Sequence, residues 1–132
     1  MKTKLSIAAV GLGLLLASVP AIAHHSFAAE FDAAKPIKLT GSVTKVEWMN
    51  PHTYFYIDVK DEKGTVTNWG LEMGSPNGLM RQGWTRNSMK IGDVVTVEGS
   101  AAKDGSNIGN ARSVTLSGGQ KLFAGSSQTT NP

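Results

Sequence analysis

The stretch Tyr54–Val59 constrains the fold more than any other. It alternates with a period of two, with Phe55, Ile57 and Val59 on one side and Tyr54, Tyr56 and Asp58 on the other. That period places one set of side chains on each face of a pleated strand and does not fit the 3.6-residue stripe of an amphipathic helix. A strand with one apolar face must have that face covered, and a lone hairpin buries too little to be stable. Further strands are therefore required, and the neighbouring sequence supplies them. Asp61-Glu62-Lys63-Gly64 carries turn chemistry, and Thr65–Met73 reads as the hairpin partner. Upstream, Ile37, Leu39 and Val43 share one parity and Val46 and Trp48 the other, with Gly41 between. A change of parity inside one apolar stretch predicts a long bent strand with a bulge. Asn50-Pro51 ends that strand, because proline has no N–H for a ladder.

Downstream of the hairpin, Ser75 suits a helix cap, Pro76 the first helical position and Gly83 the residue past the end. These signals predict a short helix of about two turns. Ile91–Ala101 then reads as a turn and an alternating strand, Ala102–Asn107 as a loop, and Ala111–Leu116 as a last strand. The expected fold is all-β: a small five-stranded barrel of the oligonucleotide/oligosaccharide-binding (OB-like) type, with one short helix between strands three and four. A bent first strand fits, since one strand must serve both halves of a small closed barrel. A six-stranded sandwich is the alternative.

Residues 1–23 read as a signal peptide. Lys2 and Lys4 precede an uncharged apolar run from Leu5 to Ala17, and Ala21-Ile22-Ala23 fits a small-x-small cleavage site. The run is shorter than the roughly 20 residues that span a bilayer. Cleavage after Ala23 leaves no membrane span and makes His24 the first residue of a periplasmic or secreted protein. Residues 24–123 then form the barrel domain, and the polar residues 124–132 a flexible tail. Removing Lys2 and Lys4 from the 13 Lys and Arg leaves 11 against 10 Asp and Glu, a net +1. A near-neutral chain lacks the basic surface that phosphate backbones require, so nucleic acid is not an expected partner. With no cysteine, the domain has no disulfide to staple it and relies on its core or on a ligand.

Several segments carry a family likeness: His24-His25-Ser26-Phe27 behind the signal, Lys35–Val43, Glu47–Val59 with Asn50-Pro51-His52, Trp69–Glu72, and Lys90–Gly99. Together they resemble a family of small exported bacterial proteins known only as a domain of unknown function. The resemblance covers nearly all of the mature chain and implies no activity.

The three histidines of the chain are His24, His25 and His52. A chain that begins with histidine offers its α-amino nitrogen and an imidazole on one residue, which can close a chelate ring. His24 with His25 or His52 is in that respect similar to the histidine brace of copper proteins. Imidazole nitrogen with an amine favours copper, with zinc or nickel as alternatives. An unperturbed α-amino group has a pKa of about 7.7–8.0, so binding displaces a proton and weakens as pH falls. Cleavage after Ala21 instead would make His24 the third residue, another amino-terminal copper and nickel arrangement. Singly, each histidine has a plain alternative: a solvated terminal pair, and a turn histidine hydrogen-bonded across its loop.

Met49, Met73, Met80 and Met89 offer thioethers, and Trp48, Trp69 and Trp84 offer stacking surfaces, but both types serve more often as core. Asp32, Glu47 and Glu72 are candidates to orient a histidine, against a simpler reading as solvated carboxylates. Catalysis lacks its parts, with no cysteine nucleophile and no G-x-S-x-G turn. The expected function is transition-metal binding through His24, His25 and His52, with a periplasmic partner protein. The alternative is a metal-free module whose barrel groove takes a peptide, glycan or partner protein.

Overall fold

The structure, a computed structural model, describes residues 27–125. The elements run α1 (Phe27–Glu30), β1 (Phe31–Glu47), β2 (Tyr54–Lys60), β3 (Val66–Glu72), α2 (Pro76–Arg81), β4 (Val94–Ala102), β5 (Ile108–Thr115) and β6 (Lys121–Phe123). The six strands form one sheet in the order β3-β2-β1-β4-β5-β6. Gly70–Glu72 of β3 also pair in parallel with Ile108–Asn110 of β5, which closes the sheet into a ring. Strand β1 pairs antiparallel with both β2 and β4, as a strand shared by both halves of the barrel must. The connectivity is that of an OB-like barrel, with α2 between β3 and β4.

The parity change in β1 has a concrete origin. Val43 faces Ile57 and Lys45 faces Tyr56, so Thr44 has no partner and bulges. Bending also brings backbones together at Gly41, where an added Cβ would lie 2.3 Å from the carbonyl oxygen of Asp58. Only glycine tolerates that approach. Gly99 meets the same constraint across β4 and β5, its Cβ position lying 1.8 Å from the carbonyl oxygen of Asn110.

The inward set of β2, Phe55 and Ile57, is fully buried, as sequence alternation predicts. Val43, Leu71, Val95, Val97 and Val114 belong to the same core, as do Leu79 from α2 and Trp84. Burying such a side chain contributes roughly 1.5–3 kcal/mol, and in a domain without disulfides this packing is the main source of stability. Helix α2 begins where its signals place it. Pro76 is its first residue, and Ser75 Oγ accepts from the Gly78 backbone N–H at 3.2 Å.

Two features differ from the sequence reading. Strand β1 starts at Phe31 rather than Ile37, its register with β4 shifting between Asp32 and Pro36. A sixth strand, β6, extends the sheet beyond the five expected, because Leu116–Gln120 form a turn and Val114 pairs with Leu122. Strand β6 is latched from three sides. Trp84 Nε1 donates to the Phe123 carbonyl at 2.8 Å, the Ala124 N–H donates to Arg112 at 2.7 Å, and the Ala124 carbonyl accepts from Gly74 at 2.9 Å. Ala124, the first residue of the expected tail, is fully buried. Residues 1–23, expected as a signal, and 126–132 of the tail lie outside the described residues.

Candidate functional site

The turn that carries His52 is built by the backbone. The Asn50–Pro51 peptide is cis, and beyond it Thr53 N–H donates to Gly74 at 3.0 Å while Met73 N–H donates to Thr53 at 2.8 Å. These bonds carry the β2–β3 pairing past the ends of both strands. They bring His52 beside Met73, and His52 Nδ1 lies 3.1 Å from the Met73 carbonyl oxygen. A carbonyl only accepts, so Nδ1 carries the proton and the neutral ring keeps its lone pair on Nε2.

Glu72 adjoins the same ring, its Oε1 lying 3.6 Å from His52 Nδ1. Its other oxygen, Oε2, accepts from the Tyr54 hydroxyl at 2.6 Å. Tyr54 and Glu72 are direct cross-strand partners, so their side chains share one face. Burial pushes the Tyr54 phenol well above its ordinary range, and the hydrogen bond and charge of Glu72 push it in the same direction. Tyr54 is therefore a fixed donor that holds the carboxylate.

Glu72 corrects the sequence reading. Expected as a solvated strand carboxylate, it is 8% exposed. Its strand is central at this point, with Tyr54 opposite on β2 and Asn110 opposite on β5. No local pattern in Trp69–Glu72 announces a parallel partner nearly forty residues on; the only signal is an acidic residue ending an apolar strand, beside a turn histidine.

On this face lies a cleft of about 450 Å³, lined among others by Phe31, Tyr54, Glu72, Lys103, Asp104 and Ile108. The start of the described chain forms one wall. Lys103 N–H donates to the Glu30 carbonyl at 2.9 Å, Lys103 Nζ donates to the Ala28 carbonyl, and the Phe27 and Phe31 rings pack 5.6 Å apart. Two buried side-chain oxygens, Thr53 Oγ1 and Asn110 Oδ1, have no hydrogen-bond partner among the described residues.

Of the expected ligands, His52 is in this site; His24 and His25 lie outside the described residues. Among the described residues no group of three or more His, Cys, Asp or Glu is arranged to hold a metal ion. Asp32 is exposed and accepts from the Ala34 N–H at 2.9 Å. Glu47 pairs with Lys45, which raises the Lys45 pKa through that hydrogen bond and the carboxylate charge. Met73, Met89 and Trp84 are core, and Trp48 and Trp69 pack against it. Met49 and Met80 are each 51% exposed, so they do not serve the core.

A family profile described as "Family of unknown function (DUF6152)" matches residues 12–112. No curated protein matches the chain. Among solved structures, the mitochondrial single-stranded DNA binding protein Rim1 of S. cerevisiae is similar over 62% of this chain and 92% of its own, with 12% identity and a TM-score of 0.49.

Proposed function

We propose that this chain, which belongs to the DUF6152 family of unknown function, is exported and binds one transition-metal ion through His24, His25 and His52, copper before zinc or nickel. The observation that carries the reading is the bond from His52 Nδ1 to the Met73 carbonyl at 3.1 Å. A metal-ligating histidine characteristically donates its other ring N–H to a carbonyl or carboxylate, which fixes the ring and raises its basicity. His52 has the carbonyl in contact and the Glu72 carboxylate 3.6 Å away, leaving Nε2 to coordinate.

Chain length supports the rest. Ala29 and Phe31 line the same cleft as Tyr54 and Glu72, and His24 stands three residues before Phe27, the first described residue, a stretch of at most about 11 Å. The reading requires that this short lead bring the amine and imidazole of a mature His24 to the His52 turn. Nitrogen donors in this number favour Cu(II) over the other divalent ions. On this reading the site chelates and holds the ion.

Copper titration of three proteins tests the reading: the mature chain from His24, the same chain with one added N-terminal glycine, and His52→Ala. The added glycine keeps every side chain but moves the amine, so affinity is expected to fall by about tenfold or more, and His52→Ala should also weaken binding. Affinity should drop again about two pH units below neutrality, where protons compete for amine and imidazole. Equal affinities in all three proteins would show that the histidines are not one site, and the metal-free groove module would then lead.

A further inference from the structure

The cleft contains more negative charge than the metal reading uses, which calls only on Glu72 beside His52. Three carboxylates line it, Glu30, Glu72 and Asp104, against one ammonium, Lys103, and Lys103 Nζ is bonded to the Ala28 carbonyl. Among the described residues none of the three carboxylates has a lysine or arginine nitrogen within 4.0 Å. Asp104 is held by Ser106, whose N–H and Oγ both donate to it and keep it ionised to lower pH than usual.

Glu72 is the telling member. It is 8% exposed, its hydrogen bond comes from a neutral phenol on Oε2, and at Oε1 the His52 nitrogen is beyond hydrogen-bond distance at 3.6 Å. A carboxylate buried to this degree without a paired cation is costly unless something completes it. Across the parallel ladder Asn110 also has a buried Oδ1 without a hydrogen-bond partner among the described residues, but it does not line the cleft. A carboxylate oxygen accepts, so what completes Glu72 from the cleft must donate.

The walls narrow the ligand class. Phe31, Tyr54 and Ile108 give the lining an apolar part, and the cleft volume of about 450 Å³ falls within the range of small-ligand sites. The carboxylates are not gathered as three ligands of one ion, which disfavours a compact metal and suits a larger cation. Aromatic faces add attraction for such a charge.

We infer that this cleft binds an organic cation, a primary ammonium or guanidinium on a short apolar stem, with the charge at Glu72 and the stem along Phe31 and Ile108. Such a head carries three or more N–H donors, enough for Glu72 Oε1 and a neighbouring acceptor at once. Chemistry of this kind comes either as a free amine or as a lysine side chain of another protein, and the same contacts recognise both.

The test is an NMR titration of the isotope-labelled mature protein in the presence of a metal chelator, so that its outcome is separate from copper binding. The probes are pentylammonium, a capped Gly-Lys-Gly peptide and, as a neutral control, 1-pentanol. Saturable shifts at Tyr54, Glu72 and Ile108 are expected with the cations and not with pentanol. Stronger binding by the peptide identifies a protein lysine as the source, and stronger binding by pentylammonium a free amine. Glu72→Gln should lower the affinity about tenfold or more by removing the charged acceptor. If that variant does not fold, Ile108→Lys, at a position 37% exposed, places a tethered ammonium at the cleft and should block binding. His52→Ala, which weakens copper binding on the metal reading, should still bind the amine. No saturable shift with either cation, equal shifts with pentanol, or undiminished binding by a folded Glu72→Gln or Ile108→Lys protein would overturn the proposal.

Discussion

Replacing Trp84 with phenylalanine tests how the sixth strand holds the site in place. The indole of Trp84 is 2% exposed, and its N–H donates to the Phe123 carbonyl at 2.8 Å. Phenylalanine keeps most of the apolar contact and removes the donor. Leaving this part-buried carbonyl unpaired costs about 1–3 kcal/mol at most. The smaller ring leaves a gap of a few tens of Å³, worth on the order of 1 kcal/mol at about 24 cal/mol per Å³. The sum, about 2–4 kcal/mol, corresponds to a melting temperature lower by roughly 10–20 °C for a domain of this size.

The effect should also be local. The Ala124 carbonyl holds Gly74, the Gly74 carbonyl holds Thr53, and His52 donates to Met73 alongside. Loosening β6 therefore loosens the histidine turn. Denaturant unfolding gives the first number, and hydrogen exchange at Leu122, Ala124, Gly74 and Thr53 gives the second. A loss of stability under about 0.5 kcal/mol, or exchange that accelerates uniformly rather than at those four amides, would refute the latch.

Three further outcomes follow from the structure. Because the Tyr54 phenol is raised by burial and by Glu72, its contribution to stability is fully present below an ordinary phenol pKa of about 10. That contribution is lost as pH rises through the folded value. Tyr54→Phe should therefore remove part of the alkaline loss of stability, and the tyrosinate absorbance it removes should be the part that develops above pH 10; a component that develops below that point contradicts the assignment. Gly41→Ala, whose new Cβ would lie 2.3 Å from the Asp58 carbonyl oxygen, should cost at least the 1–3 kcal/mol typical of overpacking; an unchanged melt would show that β1 bends elsewhere. Ile57→Val, at a fully buried position, should cost about 0.5–1.5 kcal/mol, against about 0.5 kcal/mol or less for Val66→Ala, which is 52% exposed; similar values would contradict the core assignment.

The elements that were legible in the sequence are those whose physics is local. Alternation in Tyr54–Val59, proline at the head of α2 and the parity change before Trp48 each act within a few residues, and each corresponds to an observed strand, cap or bulge. What was not legible depends on partners far along the chain. The first residues of β1, Phe31–Pro36, run through alanine, lysine and proline without alternation and become a strand by pairing with Ala101 and Ala102. Strand β6 has three residues, too few to show a period, and exists because Trp84 and Arg112 hold it. At the candidate site, His52 stood out as a rare residue after a turn proline. Glu72 did not, since its burial comes from a parallel neighbour on β5.

Native mass spectrometry of the protein taken from the periplasm of expressing cells tests the central claim most directly, because one spectrum reads both the amino terminus and the bound metal. The account predicts a chain beginning at His24 that carries one copper ion and loses it on mild acidification. A chain that retains Met1, or one that begins at His24 and stays metal-free after exposure to copper, would contradict it.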